Sequence, residues 1–129
     1  AKDFGDMNTT FYGADGGGCN GLRGVVVNGR QGSSVVNNIS YLMISTLGNA
    51  SDFGDLFTGR YSVSSCSNSN RAVFLGGRTT SPSVVYQNAM EFVTISTTGN
   101  TSDFGDITGA TGGTGMGAAN SDSHGGLAE

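Results

Sequence analysis

The chain has 129 residues, of which Gly, Ser, Thr and Asn contribute 63, and its formal net charge at pH 7 is −4. Its 23 glycines exclude a helical bundle, because each glycine inside a helix costs roughly 0.5–1 kcal/mol. The small number of basic residues argues against a nucleic-acid partner, and the apolar runs are too short to cross a membrane as helices. We therefore expect an all-β protein of short strands and tight turns.

Chemically versatile side chains are scarce. His124 is the only histidine, so multi-histidine metal sites and most acid–base enzymes are excluded, and we expect neither catalysis nor a cofactor. The two cysteines, Cys19 and Cys66, hold nearly equivalent positions in the repeats described next. Equivalent positions in neighbouring repeats are usually too far apart for a disulfide, so both are expected to be reduced and half-buried.

An internal repeat of about 50 residues organises the chain. The motif Asp-Phe-Gly-Asp begins at Asp3, Asp52 and Asp103. Two further blocks keep the same register, 23–30 with 71–78 and 41–51 with 92–102. Residues 1–129 are therefore expected to form one repeat domain with two full repeats and part of a third.

Each repeat is predicted to contain a few short strands. The stronger candidates are 23–27, 39–46 and their copies 71–75 and 90–97, in which β-branched and aromatic residues are followed by Gly-containing turns. Weaker candidates follow the motifs, at 7–14, 56–65 and 107–115. Gly48-Asn49 and Gly99-Asn100 are predicted turns. The glycine-rich segment 108–120 indicates a flexible loop, or an extension that orders against a neighbouring subunit.

The shared register also predicts equal burial at equivalent positions. Phe4, Phe53 and Phe104 are expected to be buried in equivalent places. The same expectation holds for two further pairs, Val25 with Val73 and Ile44 with Ile95.

A family resemblance follows from these blocks. A unit of three or four strands with a Gly-Gly strand end is typical of a kelch-type propeller blade. Residues 48–56, Gly-Asn-Ala-Ser-Asp-Phe-Gly-Asp-Leu, and 66–77, Cys-Ser-Asn-Ser-Asn-Arg-Ala-Val-Phe-Leu-Gly-Gly, resemble kelch-like repeats in structural proteins of tailed bacteriophages, of the cyanophage and marine phage type. The resemblance implies a tail, neck, fibre or capsid-surface component, made in the host cytoplasm and carried on the extracellular virion.

The repeated motif is interpreted as a turn. Its first aspartate is expected to accept backbone N–H groups, its phenylalanine to enter the core, and its glycine to take an unusual dihedral. The structural residues of the three copies are Asp3, Phe4, Asp6, Asp52, Phe53, Asp55, Asp103, Phe104 and Asp106. Weak candidates for calcium ligands are Asp52, Asp55, Asp103 and Asp106.

Arg23 and Arg71 begin the buried strand of each repeat. Since six of the ten acidic residues belong to the motifs, we expect these arginines to pair with motif aspartates within or between repeats. A site for an anionic ligand is the alternative.

Two functions remain open at this point. The first is a non-enzymatic structural protein of the phage exterior. The second is a glycan- or host-receptor-binding module, because polar turns and Tyr12, Tyr61 and Tyr86 suit carbohydrate. Incomplete repeats leave strand edges unpaired, so a homo-oligomer in contact with other virion proteins is expected, with a trimer of six repeats favoured. A dimer with four repeats, or a fragment of one longer polypeptide, is the alternative.

Overall fold

The computed structural model describes residues 1–12, 15–80, 82–108 and 119. Secondary structure in this part of the chain consists of β-strands without any helix, so the all-β prediction is confirmed. Accordingly, none of the described residues belongs to a helix long and apolar enough to span a bilayer. Most of the glycine-rich segment 108–120, and His124, lie outside the described residues.

Eight strands form two four-stranded antiparallel sheets, each in chain order, and each sheet is one repeat. The first sheet contains β1 (Gly17–Cys19), β2 (Arg23–Val27), β5 (Asn38–Met43) and β6 (Ser51–Asp55), with the hairpin of β3 (Arg30–Gln31) and β4 (Ser34–Val35) inserted after β2. The second sheet contains β7 (Ser64–Ser67), β8 (Arg71–Leu75), β9 (Ala89–Thr94) and β10 (Ser102–Asp106). The described residues do not close into a barrel or a ring of sheets.

The stronger strand predictions are confirmed with small changes. β2 and β8 have the predicted bounds. β5 and β9 end three residues early because a turn begins there, in which Thr46 N–H donates to the Met43 carbonyl and Thr97 N–H to the Thr94 carbonyl. The weak candidate at 7–14 is wrong, since the next strand begins only at 17, and the candidate at 56–65 overlaps β7 only at residues 64 and 65. Most of the candidate at 107–115 lies outside the described residues.

In its second and third copies, the Asp-Phe-Gly-Asp motif forms a bulged edge strand instead of the predicted turn. Ile39 pairs with Gly54 and Ser40 with Asp52, so Phe53 is the extra residue of a β-bulge. The same shift occurs in β10. The glycine has a φ of +143°, +147° and +132° in the three copies, which confirms its predicted dihedral, since other residues adopt this region only with strain.

One hydrophobic core lies between the two sheets. It is formed by Val25, Val27, Ile39, Phe53, Leu56, Val63, Ala72, Phe74, Val93 and Ile95, with Tyr41 packed against it. Because successive residues of a strand point to opposite sides, the burial pattern shows which side of each sheet faces this core.

The two sheets present opposite faces to the core. β2 buries Val25 and Val27. β8 instead buries Ala72 and Phe74. Each lies one residue before the equivalent of a buried valine, Val73 or Leu75. The repeats are therefore stacked front to back, and each sheet has one side for the preceding repeat and one for the following repeat.

The prediction of equal burial at equivalent positions is wrong for this reason. Phe53 is 2% exposed, whereas Phe4 is 39% and Phe104 is 51% exposed. The other predicted pairs also have one buried and one more exposed member: Val25 and Val73, Ile95 and Ile44. A position is buried only where the described chain supplies a repeat to cover its face.

Gly54 is expected to be essential for this stacking. A Cβ on Gly54 would lie 2.3 Å from the Gly99 carbonyl oxygen, and the φ of +147° would be strained. We expect Gly54→Ala to lower the free energy of unfolding by about 2 kcal/mol, measured by chemical denaturation. Gly48→Ala is the matched control, because Gly48 has a φ of +154° but no atom within 4 Å of its Cβ position. Equal losses in the two variants would contradict a role for close approach.

Candidate functional site

The motif strand of the first repeat binds the Gly-Asn turn of the second. Gly99 N–H donates to the Phe53 carbonyl at 2.8 Å, and Thr101 N–H donates to the Asp55 carbonyl at 2.9 Å. In return, Asp55 N–H donates to Asn100 Oδ1 at 3.1 Å. The bulged strand thus uses its outer edge to hold the next repeat, and the absence of a Cβ at its glycine permits the close approach.

Residues 3–6 make the same contact with the first repeat. Phe4 and Asp6 accept the N–H groups of Gly48 and Ala50 at 2.9 and 2.8 Å. Asp6 N–H donates to Asn49 Oδ1 at 2.9 Å. The Gly-Asn sequence, predicted only as a turn, therefore supplies two backbone donors and one side-chain acceptor for an Asp-Phe-Gly-Asp segment.

A second set of contacts joins the first strands of the two sheets. Ser65 Oγ accepts the Gly17 N–H at 2.7 Å and donates to the Gly17 carbonyl at 2.6 Å. Ser67 Oγ makes the same two bonds with Cys19, at 3.2 and 3.3 Å. A Cβ on Gly18 would lie 2.8 Å from the Ala72 side chain of β8, so only glycine fits between Gly17 and Cys19 in this contact. The sequence signal that could have revealed this contact is the Gly16–Gly18 run, since small residues mark close strand approach.

Cys19 and Cys66 are half-buried thiols, as predicted. They lie on β1 and β7, the two strands joined by the serine contacts. Cys19 is equivalent to Ser67, so the two cysteines are one position out of register.

The aspartates have local roles. Asp3 and Asp103 each accept the N–H of the glycine two residues later, at 3.2 and 3.1 Å, as expected for the first motif aspartate. The Asp55 carboxylate accepts the Asn38 amide at 3.2 Å. Among the described residues, no three Asp, Glu, His or Cys side chains gather as metal ligands. This finding applies to all four calcium candidates: Asp52, Asp55, Asp103 and Asp106.

Arg23 and Arg71 lie over aromatic rings. The Arg23 guanidinium carbon is 4.5 Å from the Tyr41 ring centroid, and its Nη1 donates to the Ile95 carbonyl in the second repeat at 3.0 Å. The Arg71 guanidinium carbon is 4.7 Å from the Phe92 ring centroid. Within the described chain neither arginine is paired with an aspartate, so the expected ion pairs are not formed there. Attraction to the ring face and to a backbone oxygen replaces them.

A buried ion pair, which the sequence reasoning missed, lies behind the Gly-Asn turn of the second repeat. Arg60 Nη1 is 2.6 Å from Glu91 Oε1, and both side chains are 1% exposed. Glu91 Oε2 accepts the Phe57 N–H at 2.9 Å and the Thr101 hydroxyl. Burial lowers the pKa of Arg60, and the charge of Glu91 opposes this shift. The ion pair connects the segment after β6 with strand β9, and Glu91 also binds Thr101 at the Gly-Asn turn of the second repeat.

The first repeat fills the equivalent place with neutral groups. Ser40 is the equivalent of Glu91 and is also fully buried. The Asn28 amide donates to Ser40 Oγ at 3.0 Å, and that hydroxyl donates to Asn8 Oδ1 at 2.6 Å. The buried charges are therefore a property of the second repeat alone, and the exchange of Ser for Glu in the aligned repeats was the available sequence signal.

Backbone and ring contacts connect the three predicted tyrosines to two arginines. The Tyr61 ring centroid is 4.6 Å from the Arg78 guanidinium carbon and 5.6 Å from that of Arg30. Tyr12 N–H donates to the Arg30 carbonyl at 2.7 Å, and Tyr86 forms a β-bridge with Arg78. Tyr12 is 73% and Tyr86 46% exposed. We call these five residues the tyrosine–arginine cluster.

Asp15 lies beside this cluster. A Cβ on Gly29 would lie 2.2 Å from Asp15 Oδ2, and the other side of the carboxylate accepts the N–H of Ser62. Ser62 has a φ of +59°, in the left-handed region that non-glycine residues rarely adopt. Burial raises the pKa of Asp15, and the Ser62 hydrogen bond opposes that rise.

An open cleft of about 310 Å³ lies next to the Gly-Asn turn of the second repeat. Its lining residues are Phe92, Val93, Thr94, Thr97, Thr98, Gly99, Asn100 and Ser102. This lining supplies hydroxyl and amide groups but no charged side chain.

No protein-family model matches the chain, and a search of curated proteins finds no match.

Removing the charge of Glu91 is expected to destabilise the second repeat. Glu91→Gln leaves the buried Arg60 cation without its counter-charge, which costs about 3–5 kcal/mol of the free energy of unfolding at pH 7. Phe11 lies 49 residues before Arg60, the spacing that separates the first two motifs, and Ser40 is the equivalent of Glu91. The double variant Arg60→Phe/Glu91→Ser installs these two residue types, and we expect it to lose much less. Asp52→Asn, at an exposed site, is the control. Wild-type stability of Glu91→Gln in urea denaturation would contradict the prediction.

Asp15 is expected to make stability depend on pH. Because its pKa is raised in the folded state, folding favours the protonated form. The stability contributed by this group is fully present below its unfolded pKa and is lost as the pH rises through the folded pKa. Asp15→Asn should therefore gain stability relative to wild type between acidic and neutral pH. A difference between the two proteins that is constant across a pH series of urea denaturations would refute this assignment.

Proposed function

We propose that this chain is a non-enzymatic structural protein on the exterior of a phage virion, where it assembles through its β-repeats. The observation that carries the proposal is the use of the repeated motifs. The Asp-Phe-Gly-Asp strand, the Gly-Asn turn and Arg23 all contact a neighbouring repeat. The residues that recur along the chain therefore serve stacking, which is the expectation for a structural array.

The finer architecture that we propose is a kelch-like β-propeller-type arrangement of the repeats. Three features support it. Both sheets have four antiparallel strands in chain order. Their first strands, β1 and β7, contact each other at equivalent residues. Finally, front-to-back stacking of such sheets around an axis is the geometry of a propeller. A homo-oligomer, with a trimer of six repeats favoured, would supply enough sheets to close such a ring.

The assignment to a virion rests on the resemblance of residues 48–56 and 66–77 to kelch-like repeats in structural proteins of tailed phages. A tail, neck, fibre or capsid-surface position agrees with it. Such a protein is made in the host cytoplasm and becomes extracellular as part of the particle, where it contacts other virion proteins.

Purified particles provide the test. An antibody raised against the 129-residue chain should label the surface of intact virions of the phage that encodes it, as seen by electron microscopy. Mass spectrometry should find the chain in stoichiometric amounts after density-gradient purification, with a non-structural phage protein as the negative control. Absence of the chain from purified particles would refute the proposal.

A glycan- or receptor-binding module is the second candidate, and the tyrosine–arginine cluster favours it. Exposed aromatic rings stack on sugar faces, and the guanidinium groups of Arg30 and Arg78 suit the carboxylates of acidic sugars. On a glycan array, specific micromolar binding that is lost in Tyr12→Ser/Tyr86→Ser would support this function. Phe57→Ser is the matched control, because Phe57 is an aromatic residue, 61% exposed, outside the cluster. Binding unaffected by the tyrosine changes would contradict a glycan site at the cluster.

A further inference from the structure

The outer face of the second sheet carries apolar side chains whose first-sheet equivalents form the core. Five residues share this property: Val73, Leu75, Met90, Phe92 and Phe104, equivalent to Val25, Val27, Ile39, Tyr41 and Phe53. Val73 pairs with Phe92 and Leu75 with Met90, so these side chains lie on one side of the sheet. Phe104, at 51% exposure, is the most open of them, whereas Phe53 is 2% exposed.

Among the described residues, the carbonyls of β10 on the same side have no donor from a Gly-Asn turn. Within the chain, the carbonyls of Phe53 and Asp55 accept two N–H groups from a Gly-Asn turn. The described residues supply no such turn to the equivalent carbonyls of Phe104 and Asp106. The motif strand is therefore complete in sequence and conformation but has no following repeat in this part of the chain.

Arg71 shows the same difference. Its equivalent, Arg23, donates to the carbonyl of Ile95 in the following repeat. Arg71 keeps the stacking contact with Phe92, but it is exposed and makes no corresponding bond with a described residue. Apolar side chains, backbone acceptors and one cationic donor are thus arranged on this face as they are on the covered face of the first sheet.

We propose that this face binds the first sheet of a second copy of the chain. Residues 48–50 of that copy would occupy the place that residues 99–101 occupy within one chain, and Arg71 would donate to the carbonyl of its Ile44. The proposal deepens the assembly part of the proposed function, on which it rests, by naming the surface and the partner.

The first sheet has the complementary surface. Ile44, the equivalent of the fully buried Ile95, is 43% exposed. The same end of the sheet exposes further apolar side chains, at Leu22 and Leu47, which are 63% and 54% exposed. The second repeat has polar residues at the equivalent positions: Asn70 and Thr98. Folding of a repeat therefore does not require apolar residues there, and their presence indicates a covered surface.

Docking requires an exchange of strands. Residues 3–6 already occupy the turn at 48–50. Residues 103–106 have the same sequence, Asp-Phe-Gly-Asp, and can form the same three hydrogen bonds after displacing them. The exchange replaces these three hydrogen bonds one for one and adds the burial of two apolar faces. Because the two faces differ, the contact is head-to-tail, and copies close into a ring or extend into a filament.

Two glycine variants distinguish the two segments that compete for the turn at 48–50, which are residues 3–6 of the same chain and residues 103–106 of a second copy. A Cβ on Gly5 would lie 2.4 Å from the Gly48 carbonyl oxygen, so Gly5→Ala weakens the internal contact and frees the turn for a second copy. A Cβ on Gly105 meets only Met90 Cε, at 3.7 Å, within one chain. In the docked arrangement it would meet the partner's turn, as Gly5 and Gly54 do. Gly5→Ala should therefore strengthen association by about tenfold or more, and Gly105→Ala should abolish it.

Sedimentation of the 129-residue chain over a concentration series is the test. We expect wild type to associate, Gly5→Ala to associate at lower concentration, and Gly105→Ala and Phe104→Asn to remain monomeric. Phe57→Asn is the matched control for an exposed phenylalanine and should behave as wild type. Phe104→Asn removes an exposed side chain without backbone strain, so its fold, checked by circular dichroism, should be retained.

The alternative outcomes separate the two proposals. Association that persists in both Gly105→Ala and Phe104→Asn would overturn this surface and leave assembly through another surface. A protein that is monomeric at every concentration, in wild type and in Gly5→Ala, would overturn the surface and the proposed self-assembly together.

Discussion

Each repeat of this protein depends on a backbone contact with the next. The edge strand of one sheet bulges at its phenylalanine, turns its outer carbonyls away from the sheet, and offers them to the Gly-Asn turn of the following repeat. Because both partners are backbone groups a few ångströms apart, only glycine fits at the contact point. The buried phenylalanine, the Arg23 bond to the Ile95 carbonyl and the serine bridges between first strands all follow from the relative position that this contact sets.

Front-to-back stacking explains why a single sheet has two different apolar sides. An isolated four-stranded sheet of this size buries too little surface to be stable, and a neighbour must cover each side. The core lies between the side of the first sheet that faces the following repeat and the side of the second sheet that faces the preceding repeat. Burial in this protein is therefore a property of the pair of repeats, and the same residue type has opposite environments in the two copies.

Local signals in the sequence were sufficient to predict the repeat, the all-β class and the positions of β2 and β8. Apolar runs and Gly-containing turns determine structure over a few residues, so each can be recognised locally. The buried face was not predictable from one repeat, since it depends on which neighbour is present, and so the burial of Phe4 and Phe104 was predicted wrongly. The partner of Arg23 also escaped prediction, because a guanidinium binds carboxylates, ring faces and backbone oxygens alike. The Arg60–Glu91 pair has no equivalent in the first repeat. A prediction made from the residues that the repeats share therefore did not include it.

The difference between Ser40 and Glu91 has a consequence for folding fidelity. Two repeats so alike in sequence invite mispairing, in which the segment meant for one sheet lies on the other. Placing Arg60 against the first sheet would bury a cation beside the neutral Ser40 and Asn28, and placing a neutral segment against the second would leave Glu91 without its counter-charge. Each error would bury an unpaired charge, at a cost of several kcal/mol. The buried pair thus favours the native pairing of each segment with its own sheet.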